Sequence, residues 1–164
     1  ARKIASAVED MPGARFVDIG SGPGKLCLLL ALMTDLEIHG IEQRAELIHF
    51  ARKLCDARAP GRVQFTHGNM LSLDWDRFDV FYLYNPFQEH TCHRQDGGLI
   101  DQSIPLGRKF FAQYVSEVFR QLVLLKAKKR VITFHGYGGR FPRSMRLLES
   151  TRIGTGSLNV WEKE

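Results

Sequence analysis

The chain is organised around the segment Phe16-Val17-Asp18-Ile19-Gly20-Ser21-Gly22-Pro23-Gly24-Lys25-Leu26. It begins with apolar residues that end at Asp18, which is typical of a short buried strand. Three glycines follow at every second position, and a leucine-rich run begins after them. Glycine accepts positive φ angles and lets a ligand come close to the backbone, and the first turn of a helix has free N–H groups. The segment therefore predicts a strand, a ligand-binding loop and a helix.

Two phosphate-binding loops are comparable with this segment, and both fail on spacing. The dinucleotide fingerprint G-x-G-x-x-G, counted from Gly20 and Gly22, requires a glycine where Lys25 stands. The phosphate loop G-x-x-x-x-G-K-[ST] requires a glycine at Ile19 and a hydroxyl residue at Leu26. What remains is the pattern D-x-G-x-G-x-G, which indicates a different ligand.

The composition is that of an ordinary globular protein and predicts one domain over residues 1–164. Hydrophobic residues make up 44% of the 164 residues and charged residues 25%, which suits a single compact core. No run approaches about 18 apolar residues without a charge, so no membrane-spanning helix is predicted. Cys27, Cys55 and Cys92 are scattered, which argues against a disulfide framework and favours a reducing cytoplasm.

Strand and helix patterns alternate along most of the chain and predict parallel βαβ units. Strands are expected at 14–19, Glu37–Ile41, Arg62–Thr66, Phe78–Tyr84 and Val131–Phe134. Helices are expected at 2–10, Lys25–Met33, Arg44–Asp56 and about 105–126. The alternation of Met145–Ile153 and Ser157–Trp161 around Gly154-Thr155-Gly156 predicts a closing hairpin. The expected fold is therefore α/β and Rossmann-like, with a doubly wound, mostly parallel sheet and an antiparallel C-terminal hairpin.

The glycine pattern, together with an acid at the end of the second strand, resembles a class I S-adenosylmethionine-dependent methyltransferase. The acid is Glu42. A carboxylate about 20 residues past the loop is well placed to accept hydrogen bonds from a ribose diol. The resemblance implies S-adenosylmethionine as cofactor and seven strands in the order 3-2-1-4-5-7-6.

The resemblance also implies roles for individual residues in cofactor binding. Asp18 would hold the amino group of the cofactor's methionine part, and Asn69 and Met70 would meet the edge and face of the adenine. Many relatives have Asp at the position of Asn69. The implied cofactor-binding residues are Asp18, Gly20, Ser21, Gly22, Gly24, Glu42, Gln43, Asn69 and Met70.

The fourth predicted strand ends in Tyr84-Asn85-Pro86-Phe87, at the sheet edge where α/β proteins bind ligands. Families that methylate amines carry Asn/Asp-Pro-Pro-Tyr/Phe here, and Asn85-Pro86-Phe87 resembles a shortened version. The Asn85 amide oxygen and a nearby backbone carbonyl would orient the target amine for in-line attack. Phe87 would stack on a planar group of the acceptor or pack against its alkyl chain. The alternative is that Asn-Pro is only a strand-ending turn.

A finer resemblance is to the Dot1-like branch, whose members methylate a lysine side chain on histone. It lies in Val17–Gly24, His39–Glu42 and Gly68–Leu71, and the closing hairpin also fits. The predicted activity is methyl transfer to a nitrogen of a protein side chain or another amine. Two alternatives stay open, which are a nucleic-acid N-methyltransferase and a catalytically silent, cofactor-binding regulatory module.

Two other loops are candidates for function. Residues 88–103 are polar and aperiodic and predict a long loop or lid. Within them, His90, Cys92 and His93 form a small cluster, but no fourth ligand has a recognisable spacing, so no metal site is predicted. The basic and aromatic loop 136–143, in a chain of net charge +5, carries groups of the kind that contact a nucleic-acid backbone or base. The alternative is that it is an ordinary exposed loop.

Overall fold

The fold was established from a computed structural model, which describes residues 1–91 and 103–164. The described strands are β1 Arg15–Ile19, β2 Glu37–Glu42, β3 Val63–His67, β4 Val80–Tyr84, β5 Arg130–Phe134, β6 Met145–Ile153 and β7 Gly156–Lys163. The described helices are α1 Arg2–Ser6, α2 Lys25–Met33, α3 Ala45–Arg58 and α4 Arg108–Leu124. Short 3-10 helices cover Met70–Ser72, Trp75–Arg77 and Gln88–His90.

The described strands form one seven-stranded sheet in the order β3-β2-β1-β4-β5-β7-β6. Strands β1 to β5 pair in parallel, whereas β7 is antiparallel to both β5 and β6. The predicted doubly wound sheet, its strand order and its C-terminal hairpin are confirmed. Because β1 and β4 are neighbours at the centre, the strand order reverses between them, which is where α/β sheets bind ligands.

Apolar side chains cover both faces of the sheet, which explains the continuous apolar run of β4. Phe81 and Leu83 belong to the core under α4, and Val80 and Tyr82 belong to the core under α2. Successive strand residues point to opposite faces, so a strand that is covered on both sides carries no polar alternation.

The largest differences from the predicted helix boundaries are at the end of α1 and the start of α4. Helix α1 ends at Ser6 rather than at residue 10, and turns carry the chain from there to Met11-Pro12-Gly13. Helix α4 begins at Arg108 rather than near Pro105, because Gly107 precedes it with a φ of 149°. No helix in the described ranges is long and apolar enough to cross a membrane.

Two buried lysines donate to backbone carbonyls of helical segments. The Nζ of Lys163, the last residue of β7, donates to the Leu122 and Val123 carbonyls at 3.2 and 2.8 Å. These carbonyls lie in the last turn of α4, which leaves them without intrahelical partners, so Lys163 attaches this end of the helix to the sheet. The Nζ of Lys129 donates to the Trp75 carbonyl at 3.0 Å, which lies in a 3-10 helix.

Candidate active site

A cleft of about 380 Å³ opens at the carboxyl ends of the central strands. Most of the predicted site residues line it, namely Gly20, Gly22, Glu42, Gln43, Met70, Asn85, Pro86 and Phe87. Asp18, Ser21, Gly24 and Asn69 were predicted as well, and they are not among the residues that line it. The cleft therefore brings the glycine loop, the end of β2 and the segment after β4 to one place.

The glycine loop needs glycine for two physical reasons. Gly20, Gly22 and Gly24 have φ angles of 79°, 52° and 72°, which side-chain-bearing residues rarely adopt. At Gly24, a Cβ would also lie 2.7 Å from the Phe65 ring and 2.9 Å from the Ala51 Cβ. At Gly20, it would lie 3.7 Å from the Pro86 Cβ, so the loop approaches the segment after β4 closely.

Glu42 is an acidic group of the cleft wall at the end of β2. Its Oε2 accepts the Gly22 N–H at 3.1 Å, and its Oε1 accepts the Arg44 N–H at 3.0 Å. The buried Arg44 guanidinium lies 3.9 Å from Oε1 and pairs with Glu89 at 2.6 Å. These bonds fix the carboxylate in place, and a carboxylate oxygen has further lone pairs for hydroxyl donors.

Asp18 is the second-last residue of β1, just before the glycine loop, and is almost completely buried. The Cys27 thiol donates to its Oδ2 at 3.6 Å. Burial raises the pKa of Asp18 to about 7, the Cys27 hydrogen bond acts in the opposite direction, and the Glu42 charge raises it further. A cationic group nearby would favour the ionised form of this carboxyl.

Both N–H donors of the Asn69 side chain and one lone pair of its oxygen are engaged within the protein. Its Oδ1 accepts the Leu71 N–H at 2.9 Å, and its Nδ2 donates to Gln43 Oε1 at 2.8 Å and to the Tyr114 hydroxyl at 2.6 Å. The Tyr114 hydroxyl in turn donates to Gln43 Oε1 at 3.2 Å. Asn69 and Tyr114 therefore hold the oxygen of Gln43, whose side chain lines the cleft together with Met70.

Asn85 has a left-handed φ of 41° at the end of β4. Its N–H donates to the Phe134 carbonyl at 3.1 Å, and its Nδ2 donates to Gln88 Oε1. Because the amide nitrogen is engaged, the amide oxygen is the group that an incoming N–H donor would meet. Asparagine tolerates this φ better than most residues, which explains its place in the turn.

The two aromatic residues beside Asn85 have opposite environments. Phe87 is buried and stacks on Tyr114 with ring centroids 5.0 Å apart and planes 11° apart, so one face of its ring is already covered. Tyr84 is 55% exposed and stacks on Phe134 at 5.3 Å. Tyr84, rather than Phe87, is therefore the exposed aromatic ring beside Asn85.

The sequence analysis assigned no role in the cleft to four residues that line or support it. These residues are Arg44, Tyr84, His90 and Tyr114. Arg44 followed the predicted acid without a recognisable pattern, and Tyr114 stands on a helix whose apolar face hides its hydroxyl. His90 was assigned to a polar loop. Cys92 and His93 of the predicted cluster lie outside the described residues, as does most of the predicted lid.

The chain was compared with known proteins. A family model described as a methyltransferase domain matches residues 10–124, which is more than half of the chain. No curated protein matches the sequence. The fold is similar to that of an RNA methyltransferase from Salinibacter ruber in complex with S-adenosyl-L-homocysteine, with 17% identity, a TM-score of 0.67, and coverage of 99% of this chain and 90% of that chain.

Two further structures have the same fold. The putative methyltransferase yhhF from Escherichia coli is 15% identical with a TM-score of 0.68, and the alignment covers 99% of this chain and 83% of that chain. TrmN from Thermus thermophilus is 16% identical with a TM-score of 0.68, and the coverage is 99% of this chain and 48% of that chain.

The residues of the cleft fit S-adenosylmethionine chemically. The glycine loop gives a backbone that a ligand can approach, and Glu42 offers a carboxylate to a ribose diol. The buried Ser21 Oγ has no hydrogen-bond partner in the described ranges, and Asp18 is a buried acid that a cation would ionise. With the matched family model, these features identify the protein: the chain belongs to the methyltransferase-domain family, and it is an S-adenosylmethionine-dependent methyltransferase.

Proposed function

We propose that this enzyme methylates a nitrogen of a protein side chain or another amine, and that Asn85 orients that nitrogen. One observation carries the proposal. Asn85-Pro86-Phe87 lines the same cleft as Gly20, Gly22 and Glu42, and a Cβ at Gly20 would contact Pro86. An acceptor held at Asn85 is then next to the loop that holds the cofactor.

The proposed cofactor contacts follow the chemistry of each residue. Glu42 accepts hydrogen bonds from the ribose hydroxyls, and Asp18 pairs with the methionine amino group. The backbone of the loop Gly20–Gly24 lies along the ligand. Met70 packs on the adenine, with Gln43 at its edge. Because both N–H donors of Asn69 and one lone pair of its oxygen are engaged within the protein, we propose that Asn69 acts by positioning Gln43.

When bound, the cofactor supplies a methyl group on a sulfonium, whose sulfur is a good leaving group. The protein therefore does not need an acid to assist departure of the leaving group. It needs to align the acceptor, which is a matter of positioning. The free Asn85 oxygen suits an N–H donor, and the left-handed backbone at Asn85 is the kind of strain that functional sites retain.

A nucleic-acid acceptor is the second candidate. The exposed ring of Tyr84 offers a stacking surface for a base beside Asn85, and the net charge is +5. The similar structures include an RNA methyltransferase. The Dot1-like resemblance, which favours a lysine acceptor, stays a prediction. We further propose a cytoplasmic location, because the buried Cys27 and Cys55 are free thiols.

The experiment that tests the proposal is an acceptor assay. The enzyme is incubated with methyl-labelled S-adenosylmethionine and a cell extract, and the label is followed into protein, nucleic acid and small molecules. Label in N-methylated amino acids or small amines supports the proposal. Label in nucleic acid overturns it in favour of the second candidate, and binding without transfer to any fraction favours a silent regulatory module.

A further inference from the structure

His90 lies in the cleft, five positions after Asn85. It ends the 3-10 helix Gln88–His90, and its N–H donates to the Phe87 carbonyl at 3.1 Å. His90 and Asn85 both line the cleft. The turn after β4 therefore places an imidazole in the same cavity as the amide that is proposed to hold the acceptor.

The imidazole of His90 is buried without a complete set of partners. The residue is 6% exposed, and within residues 1–91 and 103–164 its Nδ1 has no hydrogen-bond partner. Its ring lies 5.2 Å from that of Tyr114 and 6.0 Å from that of Phe110. A buried polar atom without a partner is rare in folded proteins and calls for an explanation, and packing on aromatic rings does not supply one.

The net effect of the surroundings disfavours the charged form of His90. Burial lowers the pKa of His90 below its usual value, the neighbouring Glu89 acts in the opposite direction, and the Arg44 guanidinium lowers it further. From α4, the rings of Tyr114 and Phe110 pack against it, and the Lys109 ammonium lies over the Phe110 ring at 4.8 Å. A neutral imidazole carries a lone pair on one ring nitrogen, so it is able to accept a proton at neutral pH.

We propose that His90 is the base that takes a proton from an alkylammonium acceptor, an inference that rests on the proposed function. One N–H bond of the acceptor breaks, and the proton passes to the ring nitrogen of His90, which becomes an imidazolium. The freed lone pair of the nitrogen forms a bond with the methyl carbon, while the electrons of the carbon–sulfur bond stay on sulfur. The products are an N-methylated ammonium and a thioether, and the imidazolium returns its proton to water.

The proton transfer is reasonable energetically in this cleft. A water-exposed alkylammonium holds its proton with a pKa near 10.4, far above that of an imidazole. Burial disfavours both charged forms, and the adjacent positive charge of a sulfonium disfavours the ammonium further. Glu89, next in the chain to His90, stabilises the imidazolium that forms. A base with a pKa close to the working pH is the effective choice for such a step.

The test compares two cofactor analogues by calorimetry, so it does not depend on an identified acceptor. S-adenosylhomocysteine lacks the methyl group, whereas sinefungin carries an amino group in its place. If His90 accepts from this amine, H90F should weaken sinefungin binding about tenfold, which is the loss expected for a charged hydrogen bond. S-adenosylhomocysteine binding should change less than about twofold. In the wild type, the affinity for sinefungin relative to S-adenosylhomocysteine should also fall as the pH drops below the pKa of His90, because the protonated imidazole no longer accepts from the amine.

Controls separate this role from a structural one. H90Q keeps a neutral hydrogen-bonding group, so it should retain most of the sinefungin preference and lose its pH dependence. H49Q, on the exposed face of α3, should leave both unchanged. An unchanged sinefungin preference in H90F, or an equal loss of both analogues, would overturn the proposal. If H90F does not fold, the pH dependence in the wild type and H90Q decides the question. Failure of the wild type to bind S-adenosylhomocysteine would instead contradict the proposed function, and this inference with it.

Discussion

The N–H of Gly22 donates to the Glu42 carboxylate at 3.1 Å, which joins the glycine loop to the end of β2 across 20 residues of sequence. The contact forms because β1 and β2 are parallel neighbours, so that their carboxyl ends meet at one sheet edge. It fixes the acid at the wall of the cleft, where we propose that the ribose lies, and it links the acid to the left-handed glycine loop. The proposed cofactor site is therefore shaped largely by the pairing of β1 with β2.

Gly24→Ala should destabilise the protein through both backbone and packing. A left-handed φ costs a residue with a Cβ about 1–2 kcal/mol. The new methyl group would also lie 2.7 Å from the Phe65 ring and 2.9 Å from the Ala51 Cβ, and overpacking of this kind costs about 1–3 kcal/mol. The free energy of unfolding in urea measures the sum.

Gly61→Ala is the matched control, because Gly61 has the same φ of 72° and nothing lies within 4 Å of its added Cβ. The Gly24 variant should lose about 1–3 kcal/mol more than this control, which is the packing contribution. Equal losses in the two variants would show that the contacts of the glycine loop with α3 and β3 are looser than described.

Asp18→Asn should change how stability depends on pH in the ligand-free protein. The pKa of Asp18 is raised from 3.8 to about 7 by burial, so the folded state retains a proton that the unfolded chain has released. The stability contributed by wild-type Asp18 is therefore full below about pH 4 and falls as the pH rises to about 7. The difference amounts to about 4 kcal/mol at most. The Asn variant should gain stability relative to wild type over this range, as measured by urea unfolding at several pH values.

Asp79→Asn is the comparison with the opposite sign. The Arg15 guanidinium lowers the pKa of Asp79, so its stabilising contribution is present at neutral pH and is lost as the pH falls through the folded-state pKa. This variant should be less stable than wild type at pH 7, and the difference should shrink in acid. If the stability of both variants relative to wild type changed with pH in the same direction, the assignment of a raised pKa to Asp18 would be contradicted.

Asn85→Ala should abolish methyl transfer and leave cofactor binding intact. In the proposed function the side chain offers its oxygen to the acceptor rather than to the cofactor, so transfer into the extract should fall by about 100-fold or more, as for loss of a positioning contact. S-adenosylhomocysteine affinity, measured by calorimetry, should stay within about twofold. Retained turnover would remove Asn85 from the acceptor site.

Alanine at a left-handed position is itself strained, so a control is required. Asn85→Gly removes the same amide, but glycine adopts the φ of 41° at this position without strain. This variant should therefore lose transfer as Asn85→Ala does. If Asn85→Gly kept its activity while Asn85→Ala lost it, strain rather than the missing amide would be responsible.

Much of the fold could be predicted because local pattern and topology agree. The glycine loop, the continuous apolar run of β4 and the alternating hairpin each predicted the element that forms. The strand order required the family resemblance. Helix boundaries were less predictable. Pro105 suggested that α4 starts there, whereas the helix begins only after Gly107, whose φ of 149° no sequence pattern indicated.

The sequence pattern indicated those cleft-lining residues that stand at a strand end or directly after one, as Glu42 and Asn85 do. The predicted site was incomplete where function depends on contacts across the fold. Tyr114 is 45 residues from Asn69 in sequence, and only the packing of α4 on the sheet brings its hydroxyl to that amide. In the same way, the burial of His90 between Phe110 and Tyr114 has no local signature.

The most direct test of this account is calorimetric binding of S-adenosylhomocysteine to the wild type and to Glu42→Ala. The wild type should bind one equivalent, and the variant should bind about 10-fold to 100-fold more weakly, because it lacks a charge-assisted acceptor for the ribose. Glu37→Ala, an exposed acid at the other end of β2, should bind like the wild type. No binding to the wild type, or equal affinity in the Glu42 variant, would contradict the assignment of this cleft.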